Sequence, residues 1–308
     1  MLDRVTGLQV FARVARLGSF TGAARALGMS ASMATKHVDA LEDRLGAQLL
    51  VRTTRRLTLT EAGSRFLASA EAILAELDEA EAAATGDTTD ARGVLRLSAP
   101  VSFGVREVVP ALAEFAEQHP ALVIDVGFSD QYVDLVKEGW DLALRIGTLR
   151  DSALVARKLA PVGLTLVASR EYLDRRGHPR CIADLAGHTC LGYTLRADGR
   201  TDIWYFGANG EIAQPVGGNL NANNGDALTA AARAGRGIAL QPTPVVADDL
   251  RAGTLVALRL EAEPTPAGHV HAVYAPSRHV PAKVRALIDF LARRWAGTPP
   301  WDQGLDRL

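Results

Sequence analysis

Apolar positions in the first 85 residues recur at gaps of three and four, the spacing that lines one face of a helix. Leu8, Phe11, Val14 and Ala15 give such a face between Asp3 and Leu17, with Gly18 placed to stop the helix. Phe20 to Leu27 reads as a short helix of small residues, Gly28-Met29-Ser30 as a turn, and Ala31 to Leu45 as a further helix with Ala34, Val38, Leu41 and Leu45 on one stripe. Ser19 or Thr21 can cap the second helix and Ser30 the third, each hydroxyl accepting an orphan backbone N–H. Small Ala23 and Ala24 let these two helices approach closely, which leaves Ser32, Thr35, Lys36 and Asp39 on the outer face. Past Gly46, the apolar segments Gln48 to Arg52 and Leu57 to Thr60 flank Thr53-Thr54-Arg55-Arg56, the pattern of a hairpin wing with charge at its tip.

Thr60 opens a long helix to about Thr85, in which Phe66, Ala70, Ile73, Leu77, Ala80 and Ala84 alternate gaps of four and three. That heptad-like seam predicts pairing with a second copy, through Phe66, Ala70, Ile73 and Leu77 above all. Gly86 to Gly93 reads as a hinge. Beyond it the period changes to alternating strand and helix. Strands are expected at Val94–Ser98, Leu122–Phe128 and Asp141–Ile146, with helices at Arg106–Gln118 and Tyr132–Glu138. A second such unit spans about Val162 to Leu260, with a helix at Asp226–Ala234 and the segment Gly237–Leu240. The chain then returns through His269–Tyr274 to a helix at Pro281–Trp295. Apolar strands interleaved with helices predict an α/β body around a mostly parallel sheet covered on both faces. The tail from Gly297 is expected to fray.

Charge sharpens this division. The net charge of −1 conceals a head, residues 1–60, with nine Lys/Arg against Asp3, Asp39, Glu42 and Asp43. Residues 61–90 carry eight acids against Arg65 alone. A basic head on an acidic stalk favours a nucleic-acid partner, which the neutral total would not. No apolar run reaches the ~20 residues needed to span a bilayer. Two cysteines, Cys181 and Cys190, imply no disulfide framework, so a soluble cytoplasmic protein is expected.

At this point the chain resembles the LysR-type transcriptional regulators. The likeness is carried by Gly18-Ser19-Phe20-Thr21, Ala23-Ala24-Arg25-Ala26-Leu27, Ser30-Ala31-Ser32, Ala40-Leu41-Glu42, Leu45-Gly46, Arg52-Thr53-Thr54-Arg55-Arg56 and Leu59-Thr60-Glu61-Ala62-Gly63. It continues more loosely through Leu95-Arg96-Leu97-Ser98-Ala99-Pro100, Trp140-Asp141-Leu142-Ala143 and Gly235-Arg236-Gly237-Ile238-Ala239. The resemblance implies a winged helix-turn-helix at 1–60, a dimerising linker helix at 61–86, a hinge at 87–93 and a two-lobed effector domain at 94–296. Lobe I would take about 94–161 and 267–296 and lobe II about 162–266, like type 2 periplasmic binding proteins, with a tail at 297–308. Relatives are usually dimers of dimers. Ala31 stands where the family often has proline, and Asp39 where many members are polar or basic near DNA.

The expected partners are double-stranded DNA, a small-molecule effector that remains unidentified, further copies of the chain, and RNA polymerase; no cofactor or metal is expected. Ser32, Thr35 and Lys36 are assigned to the groove, His37 to its edge, and Arg52, Arg55 and Arg56 to phosphates or an adjacent minor groove. The effector site is expected between the lobes, outside the carboxyl ends of the strands. Ser102 and Phe103 follow the first strand and open a helix, Arg145 ends another strand as a countercharge, Asn221, Asn223 and Asn224 precede a helix, and Gln241 closes a strand. Each also has a plainer role: Ser102 as a cap, Arg145 in an ion pair, the asparagines in a turn. Cys190, between Thr189 and Leu191, reads as an inert buried thiol, and His269 with His271 lacks a third metal ligand. An enzyme is the first alternative, but no nucleophilic triad, metal cluster or phosphate loop is evident. A DNA-architectural protein without a ligand is the second.

Overall fold

The computed structural model describes residues 3–52, 57–85, 91–147, 149, 152–195, 199, 201–277 and 280–305. Contacts divide the chain into two units, Met1–Asp90 and Ala91–Leu308.

The first unit runs α1 (Arg4–Leu17), α2 (Phe20–Ala26), α3 (Ala31–Leu45), β1 (Leu50–Arg52), β2 (Leu57–Leu59) and α4 (Glu61–Thr85). Side chains set the helix starts. Asp3 accepts from Thr6 N at 2.9 Å, Ser19 from Gly22 N at 3.1 Å and Ser30 from Met33 N at 3.2 Å. Gly18 and Gly46 end α1 and α3 in the left-handed conformation. The core gathers Val10, Phe11 and Val14 from α1, Ala23 and Ala24 from α2, Ala34, Val38 and Leu41 from α3, and Leu49, Leu50 and Ala70. Two expectations change: Leu45 is exposed, so its stripe ends one turn early, and Val10 is buried while Ala15 is only half so.

The wing is tied to the helices at its base. β1 and β2 pair antiparallel with Leu50 opposite Leu59 and Arg52 opposite Leu57. The Glu42 carboxylate accepts from Leu49 N at 2.7 Å and Leu50 N at 2.9 Å, anchoring the hairpin to α3. Thr60 Oγ1 donates to Gln48 O and accepts from Gly63 N at 2.8 Å, capping α4. A Cβ on Gly63 would lie 2.0 Å from Leu49 O, so only glycine lets α4 press this closely on the strand.

The second unit holds two five-stranded sheets. Its chain runs β3 (Gly93–Ala99), α5 (Val101–Phe103), a π-helical turn (Gly104–Val108), α6 (Val109–Gln118), β4 (Leu122–Phe128), α7 (Leu135–Glu138), β5 (Leu142–Gly147) and β6 (Val155–Val162). Then follow β7 (Leu164–Ala168), α8 (Arg170–Arg176), a 3₁₀ turn (Ile182–Gly187), β8 (Cys190–Tyr193), β9 (Ile203–Phe206), β10 (Ile212–Pro215), β11 (Asn221–Ala222), α9 (Gly225–Arg233), β12 (Ile238–Pro242), α10 (Thr243–Ala252), β13 (Val256–Leu258), β14 (Gly268–Tyr274) and α11 (Ala282–Arg294). The first sheet has the order β4-β3-β5-β14-β6 and the second β11-β8-β12-β7-β13, with β9 and β10 a separate hairpin. Neither sheet is wholly parallel. β14 runs antiparallel to β5 and β6, and β7 antiparallel to β12 and β13. These two are the strands the chain enters on passing between sheets, where no crossover helix imposes a parallel course.

Alternation places the cores. On β7, Leu166 joins Tyr172, Leu185, Trp204 and Phe206 on one face, while Val167 joins Leu191, Leu228, Val246 and Leu250 on the other. The first sheet buries Leu95, Leu97, Leu142 and Leu144 against Phe115, Leu287 and Leu291. The helix expected from Arg106 starts at Val101, and that expected from Tyr132 starts only at Leu135, where Asp134 accepts from Lys137 N at 3.2 Å. Trp140-Asp141 proves structural: Asp141 Oδ2 accepts from Arg96 N at 2.8 Å and from Lys283 Nζ at 2.7 Å. The tail is docked at least to Leu305. Trp301 is buried beside Phe103 and Trp295, and Arg251 Nη2 donates to the carbonyls of Pro300, Trp301 and Gln303.

Candidate functional site

The outer face of α3 carries Ser32 and Lys36 exposed and Thr35 half-buried. Ser32 Oγ lies 3.0 Å from Ser30 Oγ, so the capping hydroxyl also orients the first polar residue of this face. His37 does not join them. It is 7 % exposed, turned inward one residue past Lys36, and its Nδ1 has no partner among the described residues. Arg55 and Arg56 lie outside the described residues, as does the side chain of Arg52. On α4, Phe66 packs on Phe11 with ring centroids 5.6 Å apart, and Ala70 is fully buried in the head's own core. Two of the four positions expected to dominate the seam are therefore packed within the head itself. Ile73 is exposed and Leu77 half-buried.

In the second unit, β3 ends at the border between the sheets and α5 begins there. Ser102 is 6 % exposed and Gln241, at the end of β12 in the other sheet, 2 % exposed. Neither Ser102 Oγ nor Gln241 Nε2 has a hydrogen-bond partner among the described residues. A Cβ on Gly225 would stand 3.2 Å from Gln241 Oε1 and 3.4 Å from Ser102 Oγ, so the three residues meet across the border. Buried polar groups without partners cost free energy, about 1–3 kcal/mol each, and here two side chains that carry one, from different lobes, come together.

The charge at this place differs from expectation. Val101 N, at the start of α5, donates to Asp130 Oδ1 at 2.9 Å, and Asn224 Nδ2 reaches Asp130 Oδ2 at 3.4 Å from the other lobe. The helix terminus that suited an anion thus already holds a carboxylate. Burial, with the Asp130 charge adding to it, pushes the Tyr193 hydroxyl up to about 12. Arg106 spans the same border to Asp226 at 2.6 Å. Asp130 was not foreseen, although it follows β4 at the same sheet end that singled out Ser102. Asn224 caps α9 through Ala227 N at 3.1 Å, while Asn223 is exposed. Asn221 is exposed on β11, its Oδ1 so close over Gly192 that a Cβ there would lie 2.0 Å away. Phe103 is no lining residue; it is 1 % exposed in the core with Trp295. Arg145 is not at the border cluster but in a separate hollow on the first sheet with Tyr132, Leu149 and Leu154.

The cysteine and histidine pairs stay outside this chemistry. Cys190 is buried, which pushes its thiol up to about 12 and keeps it protonated at physiological pH. Among the described residues no group of three or more His, Cys, Asp or Glu could hold a metal ion, and no helix is long and apolar enough to cross a membrane.

Residues 5–64 match the family model described as bacterial regulatory helix-turn-helix protein, lysR family, and residues 88–296 match the LysR substrate binding domain. The chain belongs to the LysR family of transcriptional regulators. It therefore joins a DNA-binding helix-turn-helix to an effector-binding domain. An HTH-type transcriptional regulator of Haemophilus influenzae is 35% identical to this LysR-family chain over 288 residues, covering 93% of this chain and 99% of the relative. The structure of CrgA, a LysR-type transcriptional regulator from Neisseria meningitidis, is similar at TM-score 0.61 and 32% identity, covering 96% of this chain and 100% of the other. The Vibrio cholerae virulence activator AphB follows at TM-score 0.56 and 31% identity, over 94% of this chain and 98% of the other.

Proposed function

We propose that this LysR-family regulator responds to a polar small molecule held between the two lobes, and that occupancy changes how paired heads are spaced on DNA. The observation that carries the reading is the meeting of the buried Ser102 and Gln241 side chains at Gly225, where Ser102 Oγ and Gln241 Oε1 converge, with Ser102 Oγ and Gln241 Nε2 left without partners among the described residues. A ligand that hydrogen-bonds to both ties β12 to α5 and so favours one arrangement of the lobes. Only such a differential affinity can shift a two-state equilibrium. With the Asp130 carboxylate already held at the start of α5, the cleft favours a neutral hydroxyl- or amide-bearing molecule, or one presenting an amine, over an anion at that helix end. On the head, Ser32, Thr35 and Lys36 read the major groove and Arg52, Arg55 and Arg56 contact the backbone. Ile73 and Leu77 supply what remains of the seam for a second copy.

DNase footprinting of the full-length protein on its own upstream region tests this, paired with a thermal-shift screen of neutral and amine-bearing polar metabolites. A protected stretch of several helical turns is expected, together with a metabolite that raises the melting temperature and alters the footprint. Gln241→Ala should abolish the metabolite's effect while leaving the bare footprint intact. Metabolites that bind but never alter the footprint would overturn the coupling.

A further inference from the structure

The two faces of the first sheet are covered unequally. One carries the large core beneath α6 and α11, whereas the other has only Leu135, Ala143 and Val273 buried, with Val133, Trp140 and Leu154 around them. Small side chains form a row across this thin face. Val273 of β14 stands opposite Ala143 of β5 on one side and Ala156 of β6 on the other. Above the row lies a hollow of about 220 Å³, lined also by Val133, Leu135, Leu149, Leu154 and Ser152, with Tyr132 and Arg145.

Arg145 shares the sheet face of Ala143, two residues along β5. Its Nη1 donates to the carbonyl of Leu144 at 3.1 Å and its guanidinium lies 5.9 Å from the Tyr132 ring centre, but its buried Nη2 has no partner. No carboxylate among the described residues pairs with it. The nearby acids are engaged elsewhere: Glu138 accepts from Asp134 N at 3.0 Å and Trp140 Nε1 at 3.2 Å, and Asp130 from Val101 N at 2.9 Å. Two other arginines of this unit do have carboxylate partners, Arg157 in Asp289 at 2.5 Å and Arg106 in Asp226 at 2.6 Å. Desolvation pulls the Arg145 guanidinium below its usual value. A largely buried cation without a carboxylate partner, lining a hollow walled mostly by apolar side chains, is costly unless an anion completes it, and a carboxylate on a guanidinium forms two parallel, charge-assisted bonds.

The geometry points to a second ligand site here, apart from the interlobe cleft: a small monocarboxylic acid with its carboxylate on Arg145 and a compact apolar body over Ala143, Val273 and Ala156. Calorimetric titration of the full-length protein with cyclohexanecarboxylate tests it, with cyclohexanecarboxamide and acetate as controls. The acid should bind, and each control, lacking either charge or body, should bind at least about tenfold more weakly. Arg145→Gln should cost a similar factor. Ala156→Phe, an exposed position on the edge strand, fills the hollow while leaving the arginine in place, and should do the same even if Arg145→Gln misfolds. Gln241→Ala should leave the acid's affinity unchanged. Absence of binding, affinity indifferent to Ala156→Phe, or loss in Gln241→Ala would each overturn the assignment, the last by placing the acid between the lobes.

Discussion

A side chain's neighbours, more than its type, decide its role in this molecule. Lys36 and His37 are adjacent on α3, yet one is exposed and the other buried against the head. We predict that Lys36→Ala lowers affinity for the operator by about 1–3 kcal/mol and much less for scrambled duplex, whereas Arg55→Ala weakens both alike and flattens the salt dependence. Fluorescence anisotropy at several salt concentrations separates them; equal losses on both duplexes would make Lys36 a phosphate contact. Ser102 and Gln241, read from the sequence as lying near strand ends because such ends are legible from periodicity, come together at Gly225. Arg145 and Phe103 were misjudged because position along a strand or helix does not reveal which side of the element faces the cleft. Asp130 was not singled out in the sequence, although its carboxylate accepts from Val101 N at the start of α5.

Among elements, caps and periodicity gave the helices of the head, and hidden partners explain the misses. α7 is short because Asp134 caps it late. The hairpin of β9 and β10 was overlooked because its alternation is brief and one strand is largely exposed. The tail past Gly297, rich in proline, looked unanchored, yet Pro299-Pro300 leads straight into Trp301, and a tryptophan at a supposed fray is itself a signal of docking. Phe103, Trp295 and Trp301 form a three-ring cluster with centroids 5.4–5.6 Å apart. We predict that Trp301→Ala costs about 3–5 kcal/mol. The expected result is a lower melting temperature for the effector unit; an unchanged one would show the cluster to be dispensable.

On the scale of the whole molecule, periodicity gave an alternating α/β body, and the likeness to a known family supplied its two lobes. The antiparallel strands followed from neither, because a change of direction depends on where the chain crosses between sheets. Those crossings fall at β6 to β7 and at β13 to β14, so the second sheet is an insertion within the first. Interrupting the chain after residue 262 should therefore spare the second lobe and unfold the first. Limited proteolysis of that truncation should leave a resistant fragment beginning near residue 164, and a protected first lobe would contradict this account.

The insertion also orders events in time. During synthesis the second sheet can close as soon as β13 emerges, but the first must wait for β14, which sits between β5 and β6. Until about residue 274 has left the ribosome, a folded reader of DNA trails a half-built body with bare strand edges. A premature stop between the end of α4 and that point would release a complete head joined to an unfinished effector unit, prone to aggregate through those edges.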